Sequence, residues 1–319
     1  MGSLNTLVLE PHNYSIEALD LYRNLGQVYL GLKAAPDINE ISVLVVRLNY
    51  VIDDIFLNSF PKIRWIVSPT TGLNHIDLEA CKKKSIQVFS LNDQPEAIQL
   101  ITSTSELTIG LILSLLRNIS SAHKDVVHHQ HWNRDKFKSR QLSKLTLGII
   151  GLGRIGSHVA DYARAFGMRV LAYDPYIPED IFHQHNTEQC DLISLLKESD
   201  IVSINAKLNS ENHHLLGITE LSMMRKDALL VNTARGALLD EAAAVLQLEQ
   251  GLLAGIAVDV LEYEHTEIDW KESPLVKAAN ANYNVLITPH IGGCTSDAMH
   301  ITEEIMASYL QKQVNNHKL

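Results

Sequence analysis

Residues 146–156 read TLGIIGLGRIG, an apolar run followed by three glycines in the spacing G-x-G-x-x-G. The apolar run predicts a strand, and the residues after the second glycine predict a helix. At such a junction Gly151 permits a tight turn, Gly153 lets backbone N–H groups approach a pyrophosphate, and Gly156 lets the helix pack closely on the strand. The helix N-terminus also offers a positive dipole end to phosphates. The stretch therefore predicts a dinucleotide-binding turn.

An acidic residue follows at the distance that such a site needs. Asp174 lies 21 residues after Gly153, at the end of the next predicted strand. A carboxylate there accepts hydrogen bonds from ribose hydroxyls and repels a 2′-phosphate, which favours NAD over NADP. Arg154, inside the turn, is a candidate contact for the pyrophosphate. A glycine-rich turn without a ligand is disfavoured, because strand, glycines, helix and acid agree.

Strands and helices alternate on both sides of this turn. From residue 146 onward the predicted strands are 147–150, 170–173, 201–204, 229–232, 256–260 and 285–287, with a helix at 154–166. In residues 1–100 they are 4–9, 43–48, 63–68 and 87–89, with helical patches at 15–25 and 76–84. This alternation implies βαβ units and parallel sheets. The second half predicts a doubly wound, Rossmann-type domain.

Two longer helices complete the pattern. Residues 102–129 indicate one long helix, capped by Ser103 or Thr104, and a polar surface segment follows at 128–144. The last helix, at 296–314, follows the final strand. Whether it returns to the first half of the chain, which would make the N-terminal domain discontinuous, is left open by the pattern.

Composition limits the classes of function. The length of 319 residues suits two domains of about 150 residues each. A content of 46% hydrophobic and 20% charged residues excludes global disorder. The net charge of −10 disfavours nucleic-acid binding, and no apolar stretch approaches the roughly 20 residues that span a bilayer. We therefore expect neither a nucleic acid nor a membrane as partner.

The cysteines and histidines give no disulfide or metal pattern. Cys81, Cys190 and Cys294 are far apart and odd in number, which favours a reducing, cytoplasmic compartment. His128 and His131 lie one helical turn apart, but no carboxylate or cysteine accompanies them at ligand spacing. The sequence therefore predicts no metal site.

Three polar residues each follow one of the last three predicted strands. They are Arg235, Glu264 and His290. Ligands of open α/β sheets bind outside the carboxyl ends of the strands. We therefore expect these side chains at the nicotinamide end of the crevice.

The chemistry of this triad suits hydride transfer at a hydroxyl or carbonyl carbon. Histidine donates and accepts protons near neutral pH, and a carboxylate at Glu264 stabilises the imidazolium form. Arginine holds a carboxylate or carbonyl by forked hydrogen bonds. Taken singly, Arg235 and Glu264 could be surface charges and His290 a structural histidine. Their places on successive strand ends favour catalysis.

On these motifs the sequence resembles the D-isomer-specific 2-hydroxyacid dehydrogenases. The motifs are residues 151–156 with Asp174, 232–236, 259–264 and 288–293, and the stretches 71–78 and 103–116 also look like the family. The likeness covers roughly residues 40–310.

The resemblance implies two α/β domains, one Rossmann-like and one flavodoxin-like, with doubly wound parallel sheets. An NAD domain at 101–292 would be inserted into a discontinuous substrate domain at 1–100 plus 293–319. Family members are usually dimers, built largely on the NAD domain and the long helix. The resemblance thus implies a homodimer.

The resemblance also assigns catalytic roles. It implies His290 as general acid/base, Glu264 as its partner and Arg235 as substrate anchor. The family often has proline directly after the catalytic glutamate, where this chain has His265. That departure leaves the three catalytic positions intact.

Further ligand contacts follow from the same resemblance. Asp259 would help to position the nicotinamide carboxamide, and backbone N–H groups of one loop would bind the substrate carboxylate. The predicted cofactor contacts beyond the glycines and Asp174 are Arg154, Ile155, Thr233, Ala234, Asp259, Gly292 and Gly293. The predicted substrate contacts are Arg47, Thr71, Gly72, Leu73 and Arg235. Lys207 stands where the family commonly has proline, beside the cofactor, and bears on the choice between NAD and NADP.

The substrate is less well defined. The loop at 72–77 looks most like that of the phosphoglycerate dehydrogenases, and Arg47 and Arg134 lie where those enzymes place phosphate-binding cations. Two cations that converge on a phosphate would bind it by charge-assisted hydrogen bonds; the alternative, which the sequence leaves open, is that Arg47 and Arg134 are unrelated surface charges. The sequence ends at Leu319, so a C-terminal regulatory domain is not expected.

Three functions remain open at this point. The first is an NAD-dependent dehydrogenase that interconverts a D-2-hydroxy acid and its 2-oxo acid, with 3-phosphoglycerate as one candidate. The second is the NAD-dependent oxidation of an inorganic or one-carbon anion, such as phosphite or formate. The third is a non-catalytic, NAD-sensing scaffold like the corepressors of this fold, against which the intact triad argues.

Overall fold

The computed structural model describes residues 4–35, 37–264 and 270–316. The strands are β1 Leu4–Val8, β2 Gly26–Leu30, β3 Val43–Val45, β4 Trp65–Ser68, β5 Gln87–Ser90, β6 Thr146–Ile150, β7 Arg169–Tyr173, β8 Glu188–Gln189, β9 Ile201–Ile204, β10 Leu229–Asn232, β11 Gly255–Val258 and β12 Val285–Ile287. The helices are α1 Ile16–Arg23, α2 Asp54–Asn58, α3 Leu78–Lys83, α4 Ser103–Leu116, α5 Ile119–His129, α6 Arg154–Ala165, α7 Glu179–Gln184, α8 Leu192–Glu198, α9 Ile218–Ser222, α10 Glu241–Glu249, α11 Pro274–Asn280 and α12 Ser296–Asn316. None of the helices described is both long and apolar enough to cross a membrane.

The chain divides into two compact units. Unit 1 comprises Met1–Ile101 and Cys294–Leu319, and unit 2 comprises Thr102–Gly293. The five strands of unit 1 are parallel, in the order β2-β1-β3-β4-β5, which is the flavodoxin-like order. Helix α12 packs on α1, so the end of the chain does return to the first half. The sequence did not predict β2, because this edge strand is half-buried to exposed and lacks a continuous apolar run.

Unit 2 has the doubly wound architecture that the sequence predicts. Its parallel strands lie in the order β8-β7-β6-β9-β10-β11-β12. The two-residue strand β8 makes the sheet seven-stranded rather than six-stranded, and both its residues are exposed. The strand order reverses between β6 and β9, so the ligand crevice of this fold is expected outside their carboxyl ends.

Both faces of each sheet are covered by helices. In β3, Val43 and Val45 pack with residues of α1 and α12, whereas Leu44 packs on the other face with residues of α2 and α3. In unit 2, Leu147 and Ile149 face α4 and α6, and the opposite face of the sheet packs against α8 to α11. Parallel strands buried on both sides are near-continuous apolar runs, which is why most of them are visible in the sequence.

The predicted long helix at 102–129 is wrong in two respects. It is two helices, α4 and α5, because Asn118 adopts a left-handed conformation with φ of +54°. Asparagine tolerates this conformation better than most residues. The N-cap of α4 is Thr102, without a side-chain capping bond, rather than Ser103 or Thr104.

Candidate active site

The glycine turn has a geometry that only glycine allows. Gly151 follows β6 with φ of +91°, and a Cβ there would lie 2.7 Å from backbone atoms of Ala206. A Cβ on Gly156 would lie 2.1 Å from the carbonyl oxygen of Gly151, so α6 approaches the turn closely. At Gly153 a Cβ would meet no atom within 4 Å. Gly151 and Gly156 thus allow the close backbone approaches within the turn, whereas Gly153 borders open space.

This space suits a dinucleotide phosphate. No side chain caps the first turn of α6, so its N–H groups point toward any ligand there. Burial lowers the pKa of the Arg154 guanidinium, the first residue of that helix. Asp174 Oδ2 accepts a hydrogen bond from the N–H of Leu152 at 3.0 Å, and Oδ1 accepts one from Tyr176 at 3.0 Å. The carboxylate is therefore held beside the turn, with acceptor capacity left for ribose hydroxyls.

The second wall of the crevice follows β9. Asn205 donates through Nδ2 to Ser203 Oγ at 3.0 Å. Its Oδ1 is buried and has no hydrogen-bond partner among the described residues. A buried acceptor without a partner is costly, and a donor on a bound nucleotide would satisfy it. Lys207 is exposed. The residues present around this crevice thus fit NAD.

Arg235 is placed by the turn that follows β10. The buried Asn232 accepts from the N–H of Ala234 at 3.0 Å and donates to the carbonyl oxygen of Arg235 at 2.9 Å. The guanidinium donates to the carbonyl oxygen of Ala234 at 2.6 Å. Burial lowers the pKa of Arg235, while the nearby carboxylate of Glu264 acts in the opposite direction. Arginine stays charged in proteins, so this is a largely buried cation.

Glu264 and His290 form a direct pair. His290 Nδ1 lies 2.7 Å from Glu264 Oε1, and both side chains keep some exposure, 25% and 18% respectively. Glu264 Oε2 also accepts from the N–H of Leu261 at 3.3 Å, within the turn after β11. His290 has φ of +53°. The structure thus brings Glu264 together with both His290 and Arg235, at the ends of three neighbouring strands.

Asp259 ties the loop that carries His290 to β11. The buried carboxylate accepts hydrogen bonds from Thr288 Oγ1 at 2.5 Å, from Ile291 N at 2.9 Å and from Gly292 N at 2.7 Å. Burial raises the pKa of Asp259, and these three donors oppose that rise. These hydrogen bonds position residues 288–292. The predicted contact of Asp259 with the nicotinamide stays a proposal.

The other predicted cofactor contacts line the same strand ends. Thr233 shares a hydroxyl–hydroxyl hydrogen bond of 2.8 Å with Thr108 of α4, and the Ile155 carbonyl accepts from Ser105 at 3.1 Å. A Cβ on Gly292 would lie 3.0 Å from Asp259 Oδ2, whereas one on Gly293 would meet open space.

The loop at Thr71, Gly72 and Leu73 lies in unit 1, after β4. No described residue accepts a hydrogen bond from the backbone N–H group of any of these three. The loop is braced from the other side, because Thr70 Oγ1 donates to the Gly72 carbonyl at 2.8 Å and Asn92 donates to the Thr71 carbonyl at 2.8 Å. Such N–H groups can receive an anion.

The two arginines predicted to bind phosphate are engaged elsewhere. Arg47 forms an ion pair with Glu303, donates to the His12 carbonyl at 3.2 Å and lies 5.0 Å from the ring of Tyr14. The Glu303 side chain is fully buried. Arg134 is almost fully exposed and contacts its neighbour Asp135. The pair with the buried Glu303 favours the alternative that Arg47 is not a phosphate ligand, whereas the exposed pair of Arg134 favours neither alternative.

Sequence reasoning missed the residues that hold the triad in place. Asn232 and Thr288 make partly buried hydrogen bonds and Thr108 makes a buried one. All three lie within the quoted motifs, but the only signal of their positioning role was a polar side chain at the end of an apolar strand or within an apolar helix. His265, where the family commonly has proline, lies outside the described residues.

Comparisons with known proteins show which family the chain resembles. Residues 109–292 match the family model described as D-isomer specific 2-hydroxyacid dehydrogenase, NAD binding domain. The D-3-phosphoglycerate dehydrogenase of Methanocaldococcus jannaschii is 33% identical over 93% of this chain, which spans only 55% of that protein's length. A putative 2-hydroxyacid dehydrogenase of Staphylococcus aureus is 34% identical over 88% of this chain and 85% of its own.

The fold is also similar to that of solved structures. D-lactate dehydrogenase from Aquifex aeolicus, complexed with NAD and lactic acid, superposes with a TM-score of 0.81 at 28% identity. The match covers 98% of this chain and 96% of the other.

Proposed function

This chain belongs to the D-isomer-specific 2-hydroxyacid dehydrogenase family, and we propose that it interconverts a D-2-hydroxy acid and its 2-oxo acid with NAD. The observation that carries the proposal is the 2.7 Å contact between His290 Nδ1 and Glu264, beside the buried cation of Arg235. This set supplies a proton donor, a group that stabilises its charged form and an anchor for a carboxylate.

NAD, when bound, supplies or accepts the hydride. The turn at Gly151 to Gly156 and Asp174 would hold its pyrophosphate and ribose. With Nδ1 directed at Glu264, His290 exchanges the substrate proton through Nε2. Glu264 fixes the orientation of the ring and stabilises the imidazolium that forms when the hydroxyl is oxidised.

Arg235 and the loop at 71–73 orient the substrate. The guanidinium of Arg235 binds the carboxylate or the reacting oxygen by paired hydrogen bonds. The N–H groups of Thr71, Gly72 and Leu73 bind the substrate carboxylate.

We further propose an unphosphorylated substrate. The similar proteins include a phosphoglycerate dehydrogenase and a D-lactate dehydrogenase. Similarity alone therefore does not distinguish a phosphorylated from an unphosphorylated substrate. The contact of Arg47 with the buried Glu303 supports this choice, because it removes one of the two cations that were predicted to bind a phosphate together. A homodimer through unit 2 and a cytoplasmic location stay predictions.

The test is a panel of 2-oxo acids followed by the loss of NADH absorbance. It contains pyruvate, glyoxylate, hydroxypyruvate, 3-phosphohydroxypyruvate and a bulky branched acid. We expect turnover with an unphosphorylated member. Selective turnover of the phosphorylated acid would reverse the choice of substrate. Binding of NADH with no turnover of any member, or turnover of phosphite or formate instead, would overturn the activity itself.

Asp174 is expected to decide the preference for NAD. Replacing it by alanine removes a charged hydrogen bond worth about 1.5–3 kcal/mol, so the ratio of kcat/KM for NADH over NADPH should fall about 10-fold or more. Asp174→Asn keeps the shape of the side chain and removes the repulsion of a 2′-phosphate. Asp180→Ala, an exposed acid of α7, is the control. An unchanged ratio in both Asp174 variants would place the ribose elsewhere.

A further inference from the structure

Two adjacent histidines and a glutamate converge at a place that neither the triad nor the glycine turn uses. The Nε2 atoms of His213 and His214 each lie 3.0 Å from Oε1 of Glu262. The two imidazole rings stack with centroids 4.0 Å apart. One ligand atom from each side chain lies within 4.8 Å of the others. We propose that His213, His214 and Glu262 form a binding site for a divalent transition-metal ion of the zinc class.

The backbone brings the two histidines to the same side. Neighbouring side chains on an extended chain point in opposite directions. His214 has φ of +51°, a left-handed conformation, and its N–H donates to the carbonyl oxygen of Ala237 at 2.8 Å. The local bend turns both rings toward Glu262. Residues other than glycine rarely adopt this conformation, so the surrounding structure holds the bend in place.

The backbone of Glu262 is fixed by contacts with Glu241 and Gly236. Its side chain is only 10% exposed. Its N–H donates to Oε1 of the buried Glu241 at 2.9 Å, and Oε2 of Glu241 accepts from Ser273 at 2.5 Å. A Cβ on Gly236 would lie 2.2 Å from the nitrogen of Glu262, so the backbone also packs tightly there. The backbone of Glu262 is therefore fixed, and its side chain is largely buried rather than a freely exposed surface acid.

The donor set selects the class of ion. Imidazole nitrogens suit Zn²⁺, Ni²⁺ and Cu²⁺, whereas Mg²⁺ and Ca²⁺ prefer sites made of oxygen alone. Tetrahedral Zn²⁺ with bonds of about 2.0–2.1 Å separates its ligand atoms by about 3.3–3.4 Å. The two histidine–glutamate separations of 3.0 Å need to widen by only a few tenths of an ångström, and the ligand atoms of the two histidines lie within 4.8 Å of each other. His213 is 57% exposed, which gives an ion access and leaves a coordination position for water.

The competing interpretation is a hydrogen-bonded cluster in which Glu262 accepts from both imidazoles and binds no ion. It uses the same contacts, so only a binding measurement separates the two. Metal uptake is measured without NADH or a 2-oxo acid, and its result is independent of the proposed dehydrogenase activity.

The experiment titrates Zn²⁺ into chelator-treated, desalted protein by calorimetry, with Co²⁺ absorption as a second readout of tetrahedral nitrogen–oxygen coordination. We expect one strong site per chain. Because His213 is largely exposed, His213→Gln should fold normally. It should lower the affinity for Zn²⁺ by at least about 10-fold, because loss of a residue that only hydrogen-bonds to a metal ligand already lowers metal affinity by about that factor. Glu262→Gln should do the same.

The matched control is His185→Gln, because His185 pairs with a single carboxylate, Asp161, at 3.0 Å in the same unit. Its affinity for Zn²⁺ should equal that of the wild type. The site is refuted by wild-type protein that takes up no Zn²⁺. It is equally refuted by His213→Gln and Glu262→Gln variants that bind Zn²⁺ as the wild type does.

Discussion

His290→Ala is expected to lower kcat by at least about 100-fold, the lower range for the loss of a general acid/base. The side chain is one of the three that converge at the ends of β10, β11 and β12, and its Nδ1 contacts Glu264 at 2.7 Å. Without the imidazole, the proton that accompanies hydride transfer must be exchanged with water. Binding of NADH should change little, because the glycine turn and Asp174 are untouched.

Two further variants show whether the histidine acts as part of a pair. Glu264→Gln keeps an acceptor for Nδ1 but removes the charge that stabilises the imidazolium, so kcat should fall less than in His290→Ala. His185→Ala removes a histidine that also contacts a carboxylate, Asp161, and should keep full turnover. Wild-type kcat in His290→Ala, measured on protein with unchanged NADH binding and unfolding temperature, would rule out this mechanism.

The part of the fold that follows from local patterns could be predicted from the sequence. Buried parallel strands are continuous apolar runs, and glycines at 151, 153 and 156 mark a turn whatever the rest of the chain does. The triad could be found because parallel strands end at one edge of a sheet. Three side chains that follow β10, β11 and β12 therefore meet, although they are far apart in sequence.

The missed features depend on contacts that no local pattern contains. The edge strand β2 lacks an apolar run, and the break at Asn118 is a single backbone angle inside an otherwise helical pattern. His213 and His214 meet Glu262 only because β9 and β11 lie in one sheet and their loops fold over the same edge. Arg47 and Glu303 are 256 residues apart. Each of these required the tertiary structure.

Arg47→Met is expected to destabilise the protein by about 3–5 kcal/mol, because it leaves the fully buried Glu303 carboxylate without its cation. Glu303 keeps the N–H of Ser15 as a donor at 2.6 Å, which does not neutralise a charge. The contact of Arg47 with the ring of Tyr14 is lost as well. The measurement is the free energy of unfolding in urea.

The matched control is Arg23→Met, which breaks the exposed Arg23–Asp20 pair of α1 and should cost no more than about 1 kcal/mol. Arg47→Met combined with Glu303→Gln should recover much of the lost stability, because a neutral amide still accepts from Ser15 and leaves no unpaired charge.

The same variants also test whether Arg47 binds a phosphate group of the substrate. If Arg47→Met is as mild as Arg23→Met but raises KM for 3-phosphohydroxypyruvate alone, then Arg47 is a phosphate ligand after all. If it instead unfolds easily and the double variant is restored, its role is to neutralise Glu303 within unit 1.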